Sequence, residues 1–170
     1  VSISEKVEWI EYICRDGGIG RLEAPAPGVP PAGFSYKHSP FQGSDNLIYR
    51  AAFRLSGGDG REISRKMEDV YRDRMEKGHF RYPSAGSVFK NDRTFGRPTG
   101  ALLDELGLKG KRRGNAQIAD FHANIIVNLG GARAGDVREL VEMARREAKT
   151  RLGIDLEPEI QFIGAWGDTA

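Results

Sequence analysis

The chain of 170 residues contains a single cysteine, Cys14. One cysteine closes no internal disulfide and cannot build a cysteine-rich zinc site. Cys14 falls in an apolar stretch and reads as a small buried thiol. A nucleophile needs a neighbouring cation or helix terminus to lower its pKa, and the local sequence offers none. No apolar run approaches the ~18 residues that span a bilayer. A charged-then-apolar N-terminal signal is also lacking, so the expectation is a cytoplasmic protein with no membrane partner. Histidines number only three. None stands at ligand spacing from His122, so no metal is expected. The net charge of +2 is too small to predict a nucleic-acid partner. Internal repeats and low-complexity tracts are missing as well.

What is there is ordinary for a folded domain. Hydrophobic residues make up 39% and charged residues 29%, enough to bury a core. Val7 to Ile13 is mostly β-branched or aromatic, so it reads as a strand. Asp16-Gly17-Gly18 is a hairpin turn and Ile19 to Leu22 the return strand. Pro25 to Gly33 is a proline-rich loop. Leu47 to Leu55 alternates, which predicts a half-buried strand with Leu47, Tyr49, Ala51, Phe53 and Leu55 on one face. Ile63, Met67, Val70, Tyr71 and Met75 recur at helical spacing and predict an amphipathic helix over Glu62 to Lys77.

Further on, Tyr82 to Arg97 reads as a polar, glycine-containing loop. Ala101 to Leu106 is a short helix. Lys109, Lys111, Arg112 and Arg113 lie among Gly107, Gly110 and Gly114, hence on a loop. His122 to Asn128 reads as a strand with His122, Asn124 and Asn128 on one face. Val137, Leu140, Val141, Ala144 and Ala148 define the clearest helix, ending before Gly153. Leu156 to Phe162 alternates as a final strand, at an edge because of Pro158. Strands followed by mixed helices and strands make the expected fold class α+β.

Four places could carry chemistry. Ser84 to Asn91 is either an ordinary turn or one whose small residues let backbone approach a ligand, with Ser87 and Asn91 as polar groups. Glu159 is either a solvated strand carboxylate or a site residue. The basic loop is either solvated or an anion-binding loop. The polar face around His122 suits water and a ligand equally.

Together these segments resemble the UDP-N-acetylenolpyruvoylglucosamine reductase family. Tyr82-Pro83-Ser84-Ala85-Gly86-Ser87-Val88-Phe89-Lys90-Asn91 is similar to its Pro-Ser-Ala-Gly-Ser-x-Phe-Lys-Asn segment. Gly107-Leu108-Lys109-Gly110 with Gly114-Asn115-Ala116-Gln117 resembles its Gly-Leu-Lys-Gly…Gly-Gly-Ala-Gln block. His122 to Asn128 resembles His-Ala-Asn-Phe-Ile-Val-Asn, and Leu156-Glu157-Pro158-Glu159 resembles its closing Leu-Glu-Pro-Glu. Phe34 to Ser39 is similar to its Tyr-Arg-x-Ser motif, with Lys37 where the family has arginine.

The resemblance implies a partial flavin-domain lobe of strands and one helix over residues 1–81. A small α/β substrate-binding domain follows over residues 82–170. It implies that NADPH reduces FAD and that the flavin delivers hydride to UDP-N-acetylglucosamine enolpyruvate, giving UDP-N-acetylmuramate for peptidoglycan. It implies Ser87, Glu159 and Lys37 as catalytic residues. Ser87 would protonate one alkene carbon. Glu159 and Lys37 would stabilise charge on the substrate carboxylate. Tyr36, Asn91, Lys109, Gln117 and His122 would line the substrate.

The family's two glycine-rich flavin-phosphate segments have no counterpart here, so no cofactor-binding residue is assigned. The expectation is a fragment missing the N-terminal FAD half, with weak or no flavin binding and no turnover alone. Self-association through exposed apolar edges is also expected. Two rival functions are an inactive UDP-sugar-binding module and a nucleic-acid binder using Lys109 to Arg113. Against the second stand the near-neutral charge and the lack of an aromatic platform.

Overall fold

The computed structural model describes residues 2–166. The chain packs as two compact units, Val1–Ile63 and Ser64–Ala170.

The first unit is an antiparallel sheet of β1 (Val7–Ile13), β2 (Ile19–Glu23) and β3 (Leu47–Phe53), in the order β2-β1-β3. The β1–β2 turn closes at Gly17, whose φ of 86° suits glycine. Glu11 ties all three strands together. Its carboxylate accepts from Tyr49 Oη at 2.8 Å, Arg50 Nε at 2.7 Å and Arg21 Nη1 at 3.1 Å. Those hydrogen bonds, first from Tyr49 and then from Arg50, hold the Glu11 carboxyl below the usual range. Both arginines also lie over the Trp9 ring, at 4.3 and 5.3 Å. Val7 and Ile10 are the buried apolar positions of this sheet. The expected half-buried character of β3 is not met: Leu47 is 65% and Phe53 48% exposed. Alternation sets which residues share a face, but it does not supply an element to cover that face.

Helix α1 (Gly60–Glu76) starts at Asp59, whose Oδ1 accepts from the backbone N–H of Arg61 and Glu62 at 2.8 and 3.0 Å. Its apolar stripe forms at the expected spacing, yet none of its residues is buried.

The second unit contains β4 (Ser84–Ser87), α2 (Thr99–Glu105), β5 (Arg112–Arg113), β6 (Ala116–Ile118), β7 (Ile125–Asn128) and α3 (Ala134–Leu152). The sheet is antiparallel, in the order β4-β7-β6-β5. Helix α3 buries Leu140, Val141, Ala144 and Ala148 in a core with Ala116, Ile118, Ile126, Leu103 and Phe89. Each fully buried leucine or valine there contributes about 1.5–3 kcal/mol. The helix ends at Gly153, in the left-handed region at φ 72°.

Four expectations need correction. Ser84 to Ser87 is not loop but strand, because β7 supplies the partner that these small residues do not call for by propensity. Arg112 and Arg113 are not on a loop but in a short strand paired with β6. The strand expected from His122 starts only at Ile125. Residues 122–124 turn instead, with the Asn124 N–H donating to His122 Nδ1 at 3.1 Å. The final strand is reduced to one bridge, Phe89 to Pro158. Proline has no N–H to extend a ladder.

A sheet face with a basic cavity

The register of the second unit assigns its two sheet faces. Ile126 pairs with Ile118, and both enter the core with α3. Residues two apart on a strand share a face. Val127 and Ile125 therefore share the other face, where they cluster with Ala119 and are packed by Tyr82, Phe121 and Leu129. Val127 lies opposite Gln117 on one side and Ser84 on the other, and Gln117 lies opposite Arg112. Arg112, Gln117, Val127 and Ser84 thus form one row across this face.

Ser87 joins the same face through a bulge. Between the pairs Ser84–Val127 and Ser87–Ile125, β4 carries one residue more than β7. Gly86 sits in that bulge with φ 79°. A bulge re-aims a strand's side chains. Here it sets the exposed Ser87 opposite Ile125 rather than one residue away on the core face.

Over this face lies a cavity of about 360 Å³, lined among others by Lys77, Arg81, Tyr82, Arg112, Gln117 and Asp120. Its lining holds three cations, Lys77, Arg81 and Arg112, against two carboxylates, Glu76 and Asp120, and Lys77 is itself paired with Asp73 at 2.8 Å, which leaves a small positive excess. Gln117 is only 5% exposed and its amide is oriented on both sides. Oε1 accepts from Arg112 Nε at 2.6 Å, and Nε2 donates to Asp120 Oδ2 at 3.0 Å. Of the basic loop residues, then, Arg112 is the one bonded to Gln117. Lys77 and Arg81, at the end of α1 and the turn after it, escaped the sequence reading. Their only local signal is two cations four residues apart beside an aromatic, since Arg81 lies 5.5 Å from the Tyr82 ring.

Glu159 comes back alongside Val88, the residue that follows β4. Its N–H donates to the Val88 carbonyl at 2.7 Å, and the Lys90 N–H donates to the Glu157 carbonyl at 3.0 Å. Ser87 and Glu159 are thereby joined through one residue, Val88.

The remaining expected site residues are placed differently. Asn91 uses Oδ1 to accept from the Thr99 N–H at 2.9 Å, which fixes the start of α2. Lys109 donates to Asp104 at 2.6 Å and lines a separate cavity of about 230 Å³ with His122. The His122 ring lies so close to α2 that a Cβ on Gly100 would sit 2.7 Å from its Cε1. Burial pushes the His122 pKa below its ordinary value, and nearby His79 pushes it the same way. Tyr36 and Lys37 belong to the first unit, at the tip of a tight turn in which Ser35 and His38 exchange backbone hydrogen bonds of 3.1 and 3.2 Å. Among the described residues no group of three or more His, Cys, Asp or Glu side chains is gathered for a metal. No described helix is long and apolar enough to cross a membrane.

Fold and site define an α+β domain whose four-stranded sheet gives one face to its core and the other to an open cavity with basic walls. Comparison with known proteins sharpens this. The family model of the UDP-N-acetylenolpyruvoylglucosamine reductase C-terminal domain matches residues 78–163, just over half of the chain. The UDP-N-acetylenolpyruvoylglucosamine reductase of Treponema denticola is 41% identical over 98% of this chain and 54% of its own length. That of Pediococcus pentosaceus is 37% identical over 95% of this chain and 52% of its own. The crystal structure of UDP-N-acetylenolpyruvylglucosamine reductase from Thermus caldophilus superposes with a TM-score of 0.62 at 34% identity, covering 91% of this chain and 52% of that one. The chain belongs to the UDP-N-acetylenolpyruvoylglucosamine reductase family and spans about half the length of the relatives it matches.

Proposed function

We propose that this chain is the substrate-handling part of a reductase that converts UDP-N-acetylglucosamine enolpyruvate to UDP-N-acetylmuramate, an oxidoreductase step of peptidoglycan synthesis. The observation that carries the reading is that Ser87, which the pairing with Ile125 sets on the sheet face opposite the core, is joined through the buried Val88 to the backbone of Glu159. Reduction of the enolpyruvyl double bond adds a hydride at the methylene carbon and a proton at the carbon bearing the carboxylate. FAD, reduced by NADPH, supplies the hydride when bound. Neither of the two cavities of about 360 Å³, one lined by residues within 91–98 and one at the sheet face, is walled by a glycine-rich strand-to-helix turn of the kind that cradles a dinucleotide diphosphate, so no flavin-holding residue is assigned.

What this chain contributes is position, charge and a proton. The Ser87 hydroxyl protonates the substrate carbon. Glu159 acts at the substrate carboxylate, as a hydrogen-bond donor where charge builds. Lys37 is the cation that the family resemblance assigns to the chemistry, without the two-pronged fork of an arginine. The diphosphate lies against Lys77, Arg81 and Arg112 in the cavity, with Gln117 held by Arg112 and Asp120 to receive the sugar or phosphate. Asn91 and His122 act on the edges of the site through the loops that they fix. Residues up to Arg81 correspond to the flavin-binding half and those from Tyr82 to the substrate half, with Lys77 and Arg81 at the end of the first contributing to the substrate cavity.

The test is Ser87→Ala and Glu159→Ala in the complete flavin-bearing enzyme. Each should abolish reduction of the enolpyruvyl group while leaving UDP-N-acetylglucosamine binding intact. Full activity in either variant refutes the assignment of that residue. Intact UDP-sugar binding with no reductase activity in the parent enzyme would make the chain a binding module instead.

A further inference from the structure

We propose that Asn124 is a positioning residue that sets the spacing between Ser87 and Glu159; this rests on the reading of those two as the groups that act on the substrate. Asn124 is 2% exposed. Its side chain does for Phe89 what a neighbouring strand would do. Oδ1 accepts from the Phe89 N–H at 2.9 Å, and Nδ2 donates to the Phe89 carbonyl at 2.9 Å. Its own carbonyl accepts from the Val88 N–H at 2.9 Å. The β4–β7 ladder stops at the Ser87–Ile125 pair, so Asn124 continues it with a side chain exactly where strand pairing ends.

The consequence follows from what Val88 holds on its other side. Its carbonyl receives the Glu159 N–H at 2.7 Å, and Ser87 is its covalent neighbour. Asn124 therefore grips the two residues on which both Ser87 and Glu159 depend. Val88 and Phe89 are 3% and 1% exposed and cannot shift without moving the core. Few side chains can fill this role. Leucine would leave both Phe89 groups unpaired, and an aspartate would aim a carboxylate at the Phe89 carbonyl.

The experiment is Asn124→Asp in the complete flavin-bearing enzyme, with kcat, KM and UDP-N-acetylglucosamine affinity followed against pH. At neutral pH kcat should fall about 100-fold, the size of effect that a misplacement near 1 Å produces. The UDP-sugar affinity should stay at the parent value, because the cavity at Gln117 is untouched. As pH falls, kcat relative to the parent should recover, because the protonated carboxyl again donates to Phe89. A parent-like kcat at every pH overturns the proposal. So does a loss of kcat matched by an equal loss of UDP-sugar affinity.

Ser87→Ala separates this inference from the reading beneath it. If Ser87→Ala is inactive while Asn124→Asp is normal, only the role of Asn124 fails. If Ser87→Ala is fully active, the reading fails and this inference with it. Should Asn124→Asp not fold, hydrogen exchange on the parent decides. The Val88, Phe89 and Glu159 amides should open together, and more slowly than Gly86. Opening of Glu159 independently of Phe89 overturns the proposal.

Discussion

Lys37 has φ 56° and is the one non-glycine at positive φ among the described residues. For a side chain with a Cβ the left-handed region costs roughly 1–2 kcal/mol. The turn holds it there: Ser35 and His38 bond to each other, Gln42 Nε2 donates to the Lys37 carbonyl at 3.3 Å, and His38 Nδ1 lies 3.0 Å from the Gly33 carbonyl. Backbone strain of this kind collects where a side chain must be aimed. Lys37→Gly should therefore raise stability by about 1 kcal/mol in a denaturant melt and lower turnover sharply. A variant with unchanged stability would show that the turn bears no strain. A stabilised variant with normal turnover would remove Lys37 from the chemistry.

His122 gives a second prediction at this scale. Its pKa in the folded chain is depressed below the ordinary 6.5, so at mildly acidic pH the unfolded chain binds more protons there. Stability from this group is complete above pH 6.5 and declines as pH falls toward the folded value. The groups facing it include His79, Lys109 and Asp104. His122→Gln should flatten the stability curve between about pH 7 and pH 5. An unchanged slope in urea melts across that range would assign the acid sensitivity to another group.

At the scale of elements, α1 is the clearest case of a pattern formed but not buried. Ile63, Met67, Val70, Tyr71 and Met75 are 47%, 68%, 60%, 60% and 49% exposed along one face. Apolar surface of that extent associates. Met67→Glu with Val70→Glu should reduce the mass of the purified chain in sedimentation if self-association runs through this face. An unchanged mass distribution would exonerate the helix. The stripe was legible because a 3.6-residue period is written into a helix's own residues. Its exposure was not, because the covering partner is not part of that period.

The same distinction explains β4 and the C-terminal segment. Ser84-Ala85-Gly86-Ser87 has no strand propensity, and only pairing with β7 makes it a strand. Leu156 to Phe162 alternates well, but what Leu156 does is fill the core, and Pro158 limits pairing to one bridge. Ser87, Glu159 and Gln117 could be picked out from short motifs. Lys77, Arg81, Asp120 and the clamp of Asn124 could not, because each gains its role from a residue distant in sequence.

At the scale of the whole molecule, the groups proposed to act on the substrate are divided between two units. Lys37 and Tyr36 lie in the first, and Ser87, Glu159 and the basic cavity in the second. The chain covers 54% of the Treponema denticola reductase. The cavity is built from one unit alone, by side chains already bonded to one another, as in the run from Arg112 through Gln117 to Asp120. Substrate binding should accordingly be separable from flavin binding. The purified 170-residue chain, incubated with FAD and desalted, should keep no flavin absorbance. Calorimetry should still show UDP-N-acetylglucosamine binding, with an affinity that FAD does not change and that Arg112→Ala weakens. Flavin retained at close to equimolar amounts would mean that these residues hold the cofactor after all. Absent UDP-sugar binding would mean that the cavity of this chain does not hold the substrate by itself.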